Sequence, residues 1–198
     1  MNVPTFFPEF VKFTRTVFGT EKFIPLHAPQ FKGREKALVL EALESTFVSS
    51  VGEHVNDFEK KLAEYTGASF AIAMNNGTAA LHTALLLAGV QRDDEVITAP
   101  LTFVATCNAI RYCGADPVFV DVEWRTLGLC PEKLVAFLEE RTEVRDDGFC
   151  WDKITNRIIR ACVPVHNLGH PACVSNIVSI CKRHHIVVIE DAAESLGS

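Results

Sequence analysis

The chain reads as an α/β protein with a mostly parallel sheet and helices on both faces. Three observations predict this. From Gly33 onward, short apolar runs rich in β-branched residues recur between longer amphipathic stretches. Glycines close those stretches, at Gly67, Gly89 and Gly114. The resulting rhythm, β-α-β-α-β-α-β-α-β, is that of successive strand–helix–strand crossovers.

Residues 1–22 form a lead distinct from the rest, residues 23–198. Phe6, Phe7, Phe10, Phe13, Val17 and Phe18 give the lead an apolar side near helical spacing, which predicts a helix that docks on this chain or a second one. The stretch Phe23-Ile24-Pro25-Leu26-His27-Ala28-Pro29 is expected to be extended, because its prolines oppose a helix. Val55, Phe58, Leu62 and Tyr65 follow an amphipathic helical stripe that Gly67 stops. Ser69–Met74 is expected to be a buried strand. A helix over Asn76–Ala88 follows, capped by Asn75 or Asn76 and ended by Gly89.

Glu95–Ala99 is the next strand, Phe103–Cys113 a helix and Pro117–Asp121 a strand. Pro131–Glu139 is a helix with Leu134, Phe137 and Leu138 inward. The polar stretch 141–157 suits a small hairpin turning near Thr155-Asn156. Ile158–Val165 reads as a strand, and Val174, Ile177, Val178 and Cys181 mark one face of a helix. Ile186–Glu190 reads as a strand buried on both faces.

In open parallel sheets ligands sit at the carboxyl ends of the strands. Three loops fall there: Asn75–Thr78, Pro100–Phe103 and Asp191–Glu194. Gly77, Thr78 and Ala79 open a helix, where free N–H groups, a hydroxyl and the helix dipole make a phosphate seat; ordinary helix capping explains the same residues. Asp191 ends an apolar strand and suits either a buried ligand cation or a local cap or ion pair. Phe103 is placed to stack on a flat ring or to pack in the core. His166, after the fourth helix-flanked strand, is a candidate wall residue, whereas His184 and His185 are expected to face solvent.

Composition narrows the classes. Hydrophobic residues make up 48% and charged residues 22%, as in a globular protein with a real core. A net charge of −6 and a pI near 5.6 give no electrostatic reason to expect nucleic acid. No apolar run reaches the roughly 18–20 residues of a membrane span, and the N-terminus does not have the pattern of a signal peptide. Seven cysteines without a C-x-x-C fit buried free thiols in a reducing cytoplasm. No metal-ligand cluster, Rossmann or P-loop glycine motif, or G-x-S-x-G elbow occurs.

Six blocks together carry a resemblance: Asn76-Gly77-Thr78-Ala79-Ala80-Leu81, Asp94-Glu95-Val96-Ile97-Thr98, Thr102-Phe103-Val104-Ala105-Thr106, Pro117-Val118-Phe119-Val120-Asp121-Val122, Pro164-Val165-His166 and Glu190-Asp191-Ala192-Ala193-Glu194. The chain resembles the pyridoxal-phosphate (PLP) dependent sugar aminotransferases of the DegT/StrS type, with the type I aminotransferase fold. The lead, Ser45–Gly52 and the insertion near 145–157 resemble the branch serving bacillosamine and legionaminic-acid type pathways.

The resemblance implies that Thr78 with the backbone of Gly77 and Ala79 holds the cofactor phosphate, that Phe103 stacks on the ring and that Asp191 pairs with the pyridine nitrogen. Glu194 stands where relatives often carry Gln or His near the phenolic oxygen, and Cys173 where they often carry Asp. The implied reaction moves an amino group from glutamate to a nucleotide-linked 4-keto-6-deoxy sugar in polysaccharide biosynthesis, in a cytoplasmic homodimer. The Schiff-base lysine is expected beyond Ser198, since Lys12, Lys22, Lys32, Lys36, Lys60, Lys61, Lys133, Lys153 and Lys182 all lie outside that context. On this reading the chain is an incomplete large domain, with no catalytic residue of its own, inactive and poorly stable or associating when alone. A PLP-dependent sugar dehydratase relative, with His in place of the lysine, and a non-catalytic fragment that only associates are the alternatives.

Overall fold

The computed structural model describes residues 6–25, 28–49 and 52–198. Leu26 and His27 of the expected extended stretch, and Ser50 and Val51 of the branch motif, lie outside the described residues. The chain divides into two compact units, residues 1–71 and 72–198.

The first unit holds α1 (Phe6–Phe18), α2 (Glu35–Glu44) and α3 (Glu53–Thr66). Helix α1 follows the aromatic spacing of the lead, and Phe6 stacks on Phe10 with ring centroids 6.0 Å apart. Its aromatic residues remain exposed. Helix α3 carries the Val55–Tyr65 stripe and ends at Gly67, whose φ of 73° is the left-handed conformation glycine reaches at little cost. Helix α2 was not expected: its apolar residues Leu38, Val39, Leu40 and Leu43 cluster without a clear stripe.

The second unit is a parallel sheet between helices. Its elements are α4 (Gly77–Leu87), β1 (Glu95–Thr98), α5 (Val104–Tyr112), β2 (Asp116–Phe119), α6 (Pro131–Arg141), β3 (Thr142–Val144), β4 (Cys150–Asp152), β5 (Ile159–Val163), α7 (Val174–Arg183) and β6 (Val187–Val188). The main sheet has the order β2-β1-β5-β6, every pairing parallel. Val96 and Ile97 show why both faces are covered. Val96 packs with Leu85 of α4 and Ala109 and Ile110 of α5, whereas Ile97 packs with Leu134 and Leu138 of α6 and Ile177 of α7. Each such side chain contributes about 1.5–3 kcal/mol by leaving water. All seven cysteines are free thiols.

Five expectations need correction. Residues 69–74 are not a strand, and Phe70 and Ile72 are exposed at 85% and 74%. The apolar alternation is there, but a strand exists only where a neighbour completes its ladder. For the same reason the Ile186–Glu190 strand shrinks to Val187–Val188 at the sheet edge, paired with β5 alone and with Val187 exposed. The β3–β4 hairpin turns at Arg145–Phe149, where Gly148 takes φ 80°; the turn expected near Thr155-Asn156 is a second one, joining β4 to β5. On α7, Ile180 rather than Val178 faces the core. His184 is half-buried, and that burial holds its imidazole below the usual histidine pKa, while His185 is exposed as expected. No helix among the described residues is long and apolar enough to cross a membrane.

Candidate functional site

At the carboxyl ends of the strands, four segments of the second unit enclose a cavity of about 540 Å³. They are the start of α4 (Gly77, Thr78, Leu81), the segment after β1 (Leu101 to Phe103, Ala105), the loop after β5 (Val165 to Leu168) and the loop after β6 (Asp191, Ala193, Glu194). Of the residues singled out in the sequence, Gly77, Thr78, Phe103, His166, Asp191 and Glu194 line it, and Ala79 does not.

The start of α4 explains the exception. Asn76 is extended and its Oδ1 accepts the Ala79 N–H at 2.8 Å. Capping therefore takes the Ala79 donor, while the N–H groups of Gly77 and Thr78 come before the first intrahelical bond. A Cβ on Gly77 would meet nothing within 4 Å, so the backbone there is open to close approach.

Asp191 forms the opposite wall. It is buried, 7% exposed, and joined to the end of β5 through the bonds Asp191 N–H to Pro164 O and His166 N–H to Asp191 O. Its Oδ2 accepts the Thr106 hydroxyl at 2.7 Å, and its Oδ1 the Ala193 N–H at 3.3 Å. The single Thr106 proton is thereby used, so the Thr102 hydroxyl 2.8 Å away donates to Thr106. Asp191 forms no ion pair among the described residues, and neither lysine nor arginine lines the cavity. A buried carboxylate with two neutral donors and no cation is under-compensated. A proton-bearing ring nitrogen in the cavity would supply what is missing, and the open start of α4 would take an anionic group. The residues present thus fit a flat, phosphorylated, nitrogen-containing ring.

The remaining wall residues have defined partners. His166 is buried; its Nδ1 accepts the Ala172 N–H at 3.0 Å, which puts the ring proton on Nε2, directed at Glu190 Oε2 3.0 Å away. Both ring nitrogens are occupied, so His166 presents a surface rather than a free base. Glu194 Oε2 accepts the Leu168 N–H at 2.7 Å. Leu168 has φ 56°, a left-handed conformation costing about 1–2 kcal/mol for a side chain of this kind, and the bond from Glu194 helps hold it. Phe103 is the extended residue before α5 and is 75% exposed, so it is not a core aromatic.

Sequence reasoning assigned no role to Thr106 or Asn167. The Thr102–Thr106 spacing of four, with Thr102 just before α5 and Thr106 in its first turn, was the available signal for the first. Asn167 donates to Leu101 O at 3.0 Å and to Leu127 O at 2.8 Å, tying two loops to a third. Nothing local announces that role.

Over 175 residues the chain is 41% identical to the GDP-perosamine synthase of Caulobacter vibrioides, which is 88% of this chain and 43% of that protein. The X-ray structure of the aminotransferase from Psychrobacter cryohalolentis matches with a TM-score of 0.72 and 33% identity, over 89% of this chain and 40% of that one. NtdA from Bacillus subtilis, solved with bound cofactor PMP, matches with a TM-score of 0.69 and 26% identity, over 90% of this chain and 39% of that one. The chain thus spans less than half the length of these relatives. The family model of the DegT/DnrJ/EryC1/StrS aminotransferases matches residues 29–198, and the chain belongs to that family.

Proposed function

We propose that the protein carrying this chain is a PLP-dependent aminotransferase that moves an amino group from glutamate to the keto carbon of a nucleotide-linked 4-keto-6-deoxy sugar. The observation that carries the proposal is the buried Asp191 carboxylate, without a cation, in the same cavity as the open N-terminus of α4. The name of the Caulobacter relative and the cofactor in the Bacillus structure support the substrate class and the cofactor.

When bound, PLP supplies an electron sink for the carbanion that forms beside the transferred nitrogen. The residues of this chain do the rest. Asp191 holds the ring-nitrogen proton, and Thr106, backed by Thr102, fixes its Oδ2. The Gly77 and Thr78 N–H groups and the Thr78 hydroxyl receive the phosphate. Phe103 offers a ring for stacking, and Glu194 stabilises the Leu168 turn at the wall. No lysine is among the residues that line the cavity, so the shuttling of the substrate proton is assigned to none of them. The same reading has residues 23–198 as part of the cofactor-binding domain, the lead 1–22 as a docking element and the protein as a cytoplasmic homodimer. The exposed Phe6, Phe10 and Phe13 support the docking role.

Equilibrium dialysis with PLP tests the cofactor assignment. Binding is expected to be saturable, and Asp191→Ala to weaken it about 10–100-fold, the worth of a hydrogen bond to a charged group. Equal binding by both forms would overturn the role of Asp191.

A further inference from the structure

The two tryptophans are in opposite situations. Trp151 is fully partnered: its Nε1 donates to Asp147 Oδ2 at 2.9 Å, and the Arg145 guanidinium sits 4.4 Å from its ring centroid. Trp124 is 94% exposed and has no ring contact or N–H partner among the described residues. A single exposed apolar side chain is ordinary. The backbone that presents this one is not an ordinary mobile loop tip.

Trp124 and Arg125 stand on the turn that follows β2, at the same end of the sheet as the cavity. That turn is braced throughout. Val122 bridges Leu129, the Glu123 N–H donates to Gly128 O, and the Leu127 N–H donates to Glu123 O, both at 3.0 Å. The Thr126 hydroxyl donates to Glu123 Oε1 at 2.7 Å. Gly128 is pressed so closely on the segment before α7 that a Cβ there would come within 2.7 Å of the Ala172 Cβ. Asn167, a cavity-lining residue, then fastens the turn to the site by donating to Leu127 O at 2.8 Å and to Leu101 O at 3.0 Å. Leu101 and Leu168, both exposed, form an apolar rim. Arg125 is exposed too and forms no ion pair among the described residues.

We propose that Trp124 and Arg125 form the subsite for the nucleoside diphosphate portion of the substrate, the indole stacking on the base and the guanidinium pairing with the diphosphate. This rests on the proposed function, which needs a nucleotide held outside the cavity while the sugar enters it. An indole on a braced backbone has only two side-chain torsions to fix when a base stacks on it, and a guanidinium matches phosphate oxygens in a bidentate way. An unpaired arginine beside an unpartnered indole, one hydrogen-bonded residue from the cavity wall, supplies both halves of that recognition.

Fluorescence tests it directly. In Trp151→Phe, Trp124 is the sole tryptophan and reports its own surroundings. Titration with GDP and UDP, excited at 295 nm, is expected to quench its emission saturably, whereas inorganic pyrophosphate is not. Arg125→Ala in that background is expected to weaken the quenching roughly tenfold or more. By equilibrium dialysis, Trp124→Ala is expected to weaken GDP or UDP binding by a similar factor and to leave PLP binding unchanged. Absence of saturable quenching at millimolar nucleotide would overturn the subsite while leaving the cofactor assignment intact. So would a blue shift that grows with protein concentration without nucleotide, since a second copy would then cover Trp124. Loss of PLP binding from wild type, with quenching retained, would instead count against the proposed function.

Discussion

The two ends of the parallel sheet handle buried carboxylates in different ways. At the amino end every buried aspartate has an arginine. Asp152, with no exposed side-chain surface, is held by Arg141 at 2.7 Å and accepts the Ile154 and Thr155 N–H groups. Asp94 accepts the Gln91 N–H and pairs with Arg160, which also covers the Phe149 ring at 4.2 Å. The half-buried Asp116 holds both Arg111 and Arg157. At the carboxyl end, Asp191 is equally removed from water and has a hydroxyl, one N–H and no cation. Burial is common to both ends. Under the proposed function, the two ends differ in whether the fold supplies the counter-charge or leaves it to a ligand.

One substitution made at both ends tests this comparison most strongly. Asp152→Asn breaks a buried pair and is expected to cost about 3 kcal/mol, the low side of the range because Arg141 is 33% exposed and partly solvated. Asp191→Asn removes a charge that the fold does not compensate, and is expected to cost less than about 1 kcal/mol or to stabilise. Urea midpoints of the two variants measure the contrast; equal losses would erase it.

Glu95 sharpens the comparison as the exception at the amino end. Burial pushes its carboxyl above the ordinary value, with the nearby Asp152 adding to the effect, and its Oε2 is buried without a hydrogen-bond partner. Its folded pKa lies above the unfolded one, so its contribution is complete below the unfolded value and is lost as pH rises through the folded value. Asp152 runs the other way. Burial raises it, but the Ile154 and Thr155 N–H groups and Arg141 outweigh that and hold it low, so its contribution is present at neutral pH and lost as pH falls. Glu95→Gln is expected to abolish the loss above the usual glutamate range and to raise Tm at pH 7 by roughly 2–4 °C for each kcal/mol recovered. A pH profile of Tm unchanged from wild type would show that Glu95 ionises freely.

The smallest effect is expected at the rim. Glu194→Ala frees the Leu168 N–H and should cost about 0.5–1.5 kcal/mol, seen as faster hydrogen exchange at the Leu168 amide, with Glu194→Gln restoring most of the protection. Unaltered exchange in the alanine variant would mean that the left-handed turn is held by Gly169 and its other neighbours alone.

Much of this was legible in the sequence, because the signals were local. The stripe of α3, the Asn76 cap, the glycines at 67, 89 and 114 and the β-branched runs of β1 and β5 each set their own backbone through steric and hydrogen-bonding rules that act over a few residues. The site loops were found because parallel topology puts ligands at strand ends. The misreadings lie where a distant partner decides. Residues 69–74 and 186–190 have strand composition, yet neither forms a full strand, since a ladder needs a neighbour that composition cannot supply.

The sequence by itself determined that Asp191, Phe103, Gly77 and Thr78 would arrive at one end of a parallel sheet, since the order of strands and helices and the chirality of their crossovers leave few other outcomes. Only the tertiary structure decided what each does there. It spent the Ala79 donor on a cap, engaged both nitrogens of His166, gave Glu194 to the Leu168 backbone and left Asp191 without a cation. Hydrogen-bond partners come from residues far apart in the chain, and which donors remain free depends on how the loops meet.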